Sequence, residues 1–481
     1  MTIPIQGEPG YRHKAAPRAA VVVPYWDFWE SSVGADFRND RENLLQSACD
    51  LLGKQKIDVV WQGLVDSPEE GVRCASEAAD REPDAILVLQ SMAVPPSYAL
   101  GLLDHLPQPV VIWAVQRSAV IPPDFNAGDI TSLGATVGTP MITNMLRRAQ
   151  RAFELVVSPA GNEPAAADVA DRLRAAAVAT RLRTARLARI GRPLDGYGCV
   201  DADDKDLGRS LGIEVVSLTP DDVLRHYAAV DDTLTSSWRQ RVFDSFEMEP
   251  GPEDDLDRTL RLAAALEALD QEGDFAAGAM NCHVPEIRFG TDPGLTPCFG
   301  LGCETTRGIP WTCTGDVLTA VAMLVAKQLS GAALYHEIEA IDFKTGEVAV
   351  ANSGEHDLAW CPQDRVPKLG PNPWYAADKR TGYRAHFELP AGPASLVGFA
   401  PQPGHPSGFG FVVAEGEITG RELPDNPTVG GVFRFSNGSV AEAWTRWAAS
   451  GVNHHSAISP GHLASAVAAV ANFTNVGCTA V

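Results

Sequence analysis

The stretch Ala19-Ala20-Val21-Val22-Val23-Pro24 decides the fold of the first part of this sequence. It is a short, uninterrupted apolar run that ends at a proline. A strand inside a parallel sheet is covered by helices on both faces, so its sequence is apolar throughout rather than alternating. The stretch therefore predicts a buried parallel strand near the start of the chain.

Similar apolar runs follow at a regular pitch, with helical patterns between them. The predicted strands are 57–61, 84–89 and 109–114. A helix is predicted over 39–54 from leucines at helical spacing. Another is predicted over 67–81, where Ser67 offers an N-cap and Pro68 occupies the first helical position. This alternation of strands and helices predicts a doubly wound parallel sheet.

A second α/β region follows, and the character of the sequence then changes after Gly331. The second region is predicted to contain helices 165–186, 255–273 and 315–329 and strands 188–192 and 213–218. Beyond Gly331, short β-like segments are separated by proline and glycine, as in antiparallel sheets. These segments are 347–351, 385–389, 395–399, 410–413 and 432–435, with a closing helix at 463–472.

The predicted fold class is thus α/β, with two doubly wound α/β domains followed by a C-terminal antiparallel β domain. The 481 residues are more than one hydrophobic core accommodates, so several domains are expected. We place them at 1–158, 159–330 and 331–481.

Charge and cysteine content exclude several classes of function. The formal net charge of −22 disfavours nucleic-acid binding, which requires a basic face, and also binding to anionic membrane surfaces. No apolar run is long enough for a transmembrane helix, and residues 1–20 lack the apolar core of a secretory signal. The nine cysteines form no Cys-x-x-Cys pair, which favours a reducing compartment. We expect a cytoplasmic protein without nucleic-acid or membrane partners.

Two parts of the sequence offer ligands for a metal ion. The segment Gly451-Val452-Asn453-His454-His455 carries adjacent imidazoles, and Glu337 carries a carboxylate in Leu334-Tyr335-His336-Glu337. Imidazole nitrogens and carboxylate oxygens bind divalent first-row ions such as Mn²⁺. A metal site that joins the middle of the chain to its tail is therefore expected.

The order of motifs along the whole chain resembles the L-fucose/L-arabinose isomerase superfamily. The motifs are Tyr25-Trp26, Gly63-Leu64-Val65-Asp66-Ser67-Pro68-Glu69, Cys282 with Pro285, Gly294-Leu295-Thr296-Pro297-Cys298, Gly308-Ile309-Pro310, Cys313-x-Gly315-Asp316 and the His454-His455 tail.

The resemblance implies a cytosolic aldose–ketose isomerase that acts on a sugar or polyol. It also implies three domains, a homo-oligomer (trimer, tetramer or hexamer) and Mn²⁺ or another divalent metal ion as cofactor. In such enzymes the metal acts as a Lewis acid on the carbonyl and a neighbouring hydroxyl and stabilises an enediolate. Carboxylates move the proton between the two carbons.

The resemblance also assigns metal ligands residue by residue. It places an acidic ligand at Glu337, with Glu339 as the alternative, and a histidine ligand at His455, with His454 as the alternative. The arabinose-isomerase pattern adds a further histidine, for which His356 is the nearest candidate. Under the fucose-isomerase pattern that place falls on Asn352, and no third ligand of this kind is needed.

The first acid of the family pattern is missing, because its position holds Thr314. A threonine hydroxyl can bind a sugar, but it is neither a base near neutral pH nor a ligand comparable to a carboxylate. Glu304, Glu339 or Asp316 could compensate, and Asp316 is expected to support the ligands or the start of a helix. The predicted catalytic residues are therefore Glu337, Asp316, Glu304 and Thr314.

Three functions stay open on the sequence alone. The first is a metal-dependent aldose–ketose isomerase. The second keeps the same enediolate chemistry in a C–C lyase or an epimerase on a sugar-like substrate. The third is a non-catalytic sugar-binding homologue. The four clustered cysteines are interpreted as free, buried, small apolar side chains. They are Cys282, Cys298, Cys303 and Cys313.

Overall fold

The computed structural model describes residues 16–34, 36–423, 426 and 428–481. Most of the segment on which the absence of a secretory signal was predicted, residues 1–15, lies outside them. The described chain divides into two compact units. One holds residues 16–181 with Ala469–Asn475, and the other holds Leu182–Ala468 with Val476–Val481. The three-domain division at 158/159 and 330/331 stays a prediction.

The smaller unit is built on a five-stranded sheet in the order β2-β1-β3-β4-β5, in which every pairing is parallel. Its strands are β1 Arg18–Pro24, β2 Asp58–Val65, β3 Ala85–Gln90, β4 Val110–Gln116 and β5 Phe153–Pro159. The helices of this part of the chain are α1 Glu30–Val33, α2 Phe37–Lys54, α3 Pro68–Ala79, α4 Pro96–Leu103, α5 Ala127–Ser132, α6 Ala135–Arg148 and α7 Glu163–Leu182.

Sequence and burial agree in the central strands of this sheet. All six residues of β3 are buried, as the apolar run predicts for a strand covered on both faces. Helix α3 begins as predicted, with the Ser67 hydroxyl accepting a hydrogen bond from the Glu70 N–H at 3.1 Å. Strand β5 was not predicted. It lies at the sheet edge and exposes Leu155 and Val157, so its sequence is not a continuous apolar run.

The larger unit contains a four-stranded parallel sheet in the order β10-β9-β6-β7. Its strands are β6 Arg186–Ile190, β7 Glu214–Leu218, β9 Ala277–Met280 and β10 Trp311–Thr312. The helices are α8 Asp204–Leu211, α9 Pro220–Ala229, α10 Asp232–Ser245, α11 Glu253–Gly273, α12 Pro285–Arg288, α13 Cys298–Arg307 and α14 Val317–Ser330. The predicted helix 165–186 ends earlier, at Leu182, because its final residues lead into β6.

The same unit carries a seven-stranded sheet in the order β15-β18-β11-β12-β17-β16-β19. Because β15 also pairs with β16, this sheet closes on itself, and all its pairings are antiparallel except that of β19 with β16. Its strands are β11 Leu334–Asp342, β12 Glu347–Ala351, β15 Gly392–Pro401, β16 Phe409–Ile418, β17 Gly430–Phe435, β18 His455–Pro460 and β19 Gly477–Ala480.

A small third sheet and one further helix belong to the larger unit, and the last helix of the chain begins in this unit and ends with residues of the smaller one. The third sheet has the order β14-β13-β8, from β8 Glu247–Met248, β13 Lys368–Pro371 and β14 Tyr383–His386. The helices are α15 Val440–Ala449 and α16 Ala464–Thr474, and short 3-10 turns lie at Asp27–Trp29, Gly198–Val200, Leu358–Trp360 and Pro373–Tyr375. The predicted fold class is confirmed. None of the described helices combines the length and apolarity needed to cross a membrane.

Helix α14 connects the parallel sheet to the closed sheet of the larger unit. Nearly all of its residues are buried, and it contacts β9 of the one and β15 and β18 of the other. Its N-cap residue Asp316 is fully buried. The packing of this apolar helix therefore fixes a carboxylate next to the start of β18, where His455 lies.

Two of the four clustered cysteines are not free thiols, contrary to the prediction. Cys282 and Cys313 form a disulfide, with their Cα atoms 5.9 Å apart. The physical reason is the parallel pairing of β9 with β10, which brings the ends of both strands to the same edge of the sheet. Cys282 follows β9 and Cys313 follows β10. Cys298 and Cys303 are buried and belong to no disulfide among the described residues, as predicted.

Candidate functional site

The centre of the candidate site is a cross-strand pair. Glu337 on β11 lies directly opposite His455, the first residue of β18, in antiparallel register. Directly opposed residues of two neighbouring strands project from the same face of the sheet. The Nε2 atom of His455 is accordingly 2.9 Å from Oε1 of Glu337. The structure thus brings together the mid-chain carboxylate and the imidazole of the tail.

The other edge of the His455 ring faces a second carboxylate. Its Nδ1 atom is 2.9 Å from Oδ2 of Asp316, and the Tyr335 hydroxyl contacts the same nitrogen. Asp316 is held in turn by the first turn of α14, where it accepts hydrogen bonds from the Thr319 N–H and hydroxyl, both at 2.8 Å. A carboxylate behind a histidine fixes the orientation and tautomer of the ring, which is how metal-binding histidines are commonly supported.

The two carboxylates determine the charge of His455. Burial alone would lower the pKa of this imidazole, but hydrogen bonds to Asp316 and Glu337 raise the pKa to about 9. Burial alone would likewise raise the pKa of Glu337, but the contact with His455 outweighs it and holds the Glu337 pKa below its ordinary value. Without a bound cation, His455 is therefore an imidazolium between two carboxylates at neutral pH.

The donor atoms fit a divalent ion. Glu337, His454 and His455 each offer one ligand atom, and these atoms all lie within 4.8 Å of one another. One carboxylate oxygen and two imidazole nitrogens suit Mn²⁺ and other divalent first-row ions. A bound ion would take the place that a proton holds on Nε2 of His455, while Asp316 keeps the proton on Nδ1. Both adjacent histidines, which the sequence offered as alternatives, belong to this group.

Thr314 lies on the Asp316 side of His455. Its hydroxyl donates to the Cys313 carbonyl at 2.8 Å and is 3.2 Å from the Tyr335 hydroxyl. Its φ of 55° places a β-branched residue in the left-handed region, which is a strained conformation. Strain of this kind is concentrated at functional sites. Thr314 thus touches the residues that hold His455, on the edge of the ring that faces away from Glu337.

Glu339 and His356 do not join the group of three ligands. A β-bulge interrupts the pairing between Ile338 and Ala340, and the Glu339 side chain between them is exposed. The buried His356 accepts a hydrogen bond on Nε2 from the Val429 N–H at 3.4 Å. Burial and the charge of Arg384 hold the pKa of His356 well below its ordinary value, so this imidazole is neutral.

Glu304 lies in a separate cluster of buried acids. It is almost fully buried on α13 and is near Asp270, Glu267 and Arg307. Its closest approach to Arg307 is 3.6 Å. Burial and the neighbouring Asp270 charge raise the pKa of Glu304 well above its ordinary value. The ion pair of Glu304 and the charges that act on it belong to this cluster, so the structure does not bring Glu304 to His455.

We expect Glu304→Gln to stabilise the protein at alkaline pH. A carboxyl group with a raised pKa holds its proton in the folded state where the unfolded chain has released it, so stability falls as the pH rises above about 4.5. Glutamine mimics the protonated form and removes this loss. Thermal unfolding at pH 5 and pH 8 should show a smaller decrease in Tm for the variant than for the unmodified protein. An equal decrease in both would show that Glu304 is ionised in the folded state.

Tyr335 is a site residue that the sequence analysis missed. It is buried on β11, two residues before Glu337, and therefore on the same face of the strand. Burial and the charge of Asp316 raise its pKa well above the ordinary value, so its hydroxyl keeps its proton. Strand alternation through Tyr335 and Glu337 was the signal in the sequence that could have identified it.

Two known proteins are similar to most of this chain. They are the sulfoquinovose isomerases of Priestia aryabhattai and of Priestia megaterium (strain ATCC 12872 / QMB1551). Each is 19% identical to this chain over 381 residues, which is 78% of this chain and 80% of the relative. No protein family model matches the chain. The chain is thus a distant relative of proteins named as sugar isomerases, and its place in the L-fucose/L-arabinose isomerase superfamily stays a hypothesis.

Proposed function

We propose that the chain is a metal-dependent aldose–ketose isomerase acting on a sugar or sugar-like polyol. The observation that carries the proposal is the convergence of Glu337, His454 and His455 on one point, with Asp316 behind His455. The distant relationship to two sulfoquinovose isomerases supports the same reaction type. We propose further that the protein is cytoplasmic and a homo-oligomer.

In this proposal Glu337, His454 and His455 hold Mn²⁺ or another divalent ion. Such an ion supplies a Lewis acid for the carbonyl and the neighbouring hydroxyl of the sugar. Asp316 keeps the proton on Nδ1 of His455 and thereby leaves Nε2 free as a ligand.

Isomerisation needs a group that moves a proton between two neighbouring carbons. Glu337 is suited to this role, because a carboxylate beside the ion is ionised at neutral pH and can accept that proton. The same group can return the proton to the carbonyl carbon. Thr314 and Tyr335 hold the loop behind His455 through their hydroxyl contact.

The test is isomerisation in D₂O by the purified full-length protein loaded with Mn²⁺. Sulfoquinovose, the substrate in the names of both relatives, is the first aldose to assay, followed by a panel of unsubstituted aldoses. We expect ketose formation and incorporation of deuterium at the carbon next to the carbonyl, with loss of both after chelation and recovery on adding Mn²⁺. The proposal fails if the loaded protein neither exchanges this proton nor forms a ketose from any sugar of the panel.

The neutral Thr314 supports a second candidate, a metal-dependent C–C lyase or epimerase. A site that lacks one carboxylate of the isomerase pattern has a different supply of proton donors and acceptors. Analysis of the products separates the two candidates, since an isomerase forms a ketose without cleaving the carbon chain. A protein that binds sugar without metal and without proton exchange would instead be a non-catalytic homologue.

A further inference from the structure

Glu355, which follows β12, is a buried carboxylate that interacts with its own backbone N–H and with the Cys298 thiol. It is only 2% exposed, and neither carboxylate oxygen makes a hydrogen bond of normal geometry with the residues described. The Cys298 thiol is beside it, but a thiol is a weak donor. A buried acceptor left unpaired is destabilising, and more so if it is charged. The two oxygens thus have hydrogen-bonding capacity that the described residues do not use.

This carboxylate is tied to the strand that carries Glu337. The Asn352 amide donates to the carbonyls of Tyr335 and Glu355, the latter at 3.3 Å. Its oxygen accepts from the N–H groups of Gly354 at 2.6 Å and of Glu355 at 3.2 Å. Since Tyr335 is two residues from Glu337, Asn352 fixes Glu355 close to the candidate metal ligands.

Electrostatic effects on the Glu355 carboxyl group agree with this placement. Burial raises the pKa of its carboxyl group to about 7. The charges of His455 and Glu337 also act on this group, the first lowering and the second raising its pKa. These influences agree with the backbone connection that Asn352 makes between Glu355 and the strand of Glu337.

The turn at residues 352–355 is also fixed on its opposite side. The fully buried Asn372 amide donates to the Ser353 carbonyl at 2.5 Å and contacts Sγ of Cys298 at 3.5 Å. A Cβ on Gly354 would come within 2.7 Å of both the Asn372 amide nitrogen and Cβ of Cys298, so only glycine fits. Two buried asparagines thus hold the turn in one conformation, and Glu355 is positioned before any ligand arrives.

We propose that Glu355 is a polyol-binding carboxylate of this site, in addition to Glu337 and Asp316, and that its two oxygens accept hydrogen bonds from neighbouring hydroxyl groups of a bound polyol. The ligand class follows from the acceptors: above its pKa of about 7 this carboxylate offers two oxygens and no donor, and adjacent hydroxyls supply two donors in matching geometry. This inference rests on the proposed function, and it gives the site the carboxylate that Thr314 does not provide.

The experiment compares Glu355→Gln with Glu347→Gln in the full-length protein. Glu347 is a matched control because it is also buried but is already paired with Arg434 at 2.6 Å and Arg421 at 3.1 Å. Calorimetry measures the affinity for sorbitol, an open-chain polyol, with and without Mn²⁺, and the affinity for Mn²⁺ alone. We expect Glu355→Gln to weaken sorbitol binding at least about tenfold, the effect of losing hydrogen bonds to a charged group. Both variants should bind Mn²⁺ as the unmodified protein does.

Several results would overturn the inference. They are unchanged sorbitol affinity in folded Glu355→Gln, no sorbitol binding by the unmodified protein, or an equal loss in Glu347→Gln. Loss of Mn²⁺ binding in Glu355→Gln would instead make Glu355 a metal ligand and contradict the inference. If Glu355→Gln does not fold, Glu355→Asp takes its place in the same binding measurement, because aspartate keeps the carboxylate but places its oxygens one methylene further from the polyol. Unchanged sorbitol affinity in Glu355→Asp would then overturn the inference. Failure of the proposed function is distinct: it would appear as absent isomerisation while sorbitol binding still depends on Glu355.

Discussion

Replacing His455 by alanine is expected to lower the affinity for Mn²⁺ at least about tenfold and to abolish isomerisation. The variant loses the Nε2 ligand atom, which is the nitrogen that faces Glu337 at 2.9 Å. Loss of a residue that only supports a ligand already costs about 10–100-fold in metal affinity, so the loss of a ligand should cost no less. The bound metal is measured by elemental analysis after dialysis against Mn²⁺, and the affinity by calorimetry.

The matched control is His462→Ala. His462 is in the same unit and is also near a carboxylate, with Nδ1 3.9 Å from Oε2 of Glu415, but half of its side chain is exposed. This variant should bind Mn²⁺ as the unmodified protein does. Thermal unfolding shows whether each variant is folded, because removal of His455 leaves Asp316 and Glu337 without the cation between them. An unchanged metal content in folded His455→Ala would reject the assignment of this histidine.

Much of the fold could be predicted because buried strands and helices have recognisable patterns of apolar residues. The central strand β3 of the first parallel sheet is an apolar run that lies within one residue of its predicted position. Strand β12 of the closed sheet also lies where the pattern predicts it. Strand β5 gave no such signal, since half-exposed edge strands mix apolar and polar residues. The closure of the C-terminal sheet could not be predicted from the sequence either, because the pairing of β15 with β16 and β18 depends on contacts between residues distant in sequence.

The site could be predicted only as far as residue types allow. Glu337 and the two adjacent histidines are natural ligands, and their place in the sequence suggested a common site. Whether they meet depends on the register of β11 against β18, and a shift of one residue would turn Glu337 away from His455.

Glu355 had the weakest signal of all in the sequence. It stands in a polar segment typical of a turn, and two asparagine side chains distant from each other in the sequence fix this turn from opposite sides. The disulfide between Cys282 and Cys313 likewise depends on the parallel pairing of β9 and β10. Features of this kind follow from the packing of distant segments, which residue types alone do not specify.

Asp316→Asn is expected to lower the affinity for Mn²⁺ about 10–100-fold while leaving the fold intact. Asp316 has two functions that this substitution separates. As the N-cap of α14 it accepts the Thr319 N–H at 2.8 Å, and asparagine serves in this position about as well as aspartate. As the partner of His455 it keeps the proton on Nδ1, and an amide can present an N–H there instead and select the wrong tautomer. Calorimetry with Mn²⁺ and thermal unfolding of the same samples measure the two functions.

The control is Asp231→Asn, which makes the same substitution at the N-cap of another helix and so measures the effect of helix capping alone. Asp231 is the N-cap of α10, where its side chain accepts the Leu234 N–H at 2.8 Å and its carbonyl accepts the Thr235 hydroxyl at 3.0 Å. The Asp231→Asn variant should bind Mn²⁺ as the unmodified protein does. If Asp316→Asn bound Mn²⁺ normally at an unchanged Tm, the proton on His455 would not depend on Asp316. If both variants lost stability and metal together, helix capping rather than the tautomer of His455 would account for the loss.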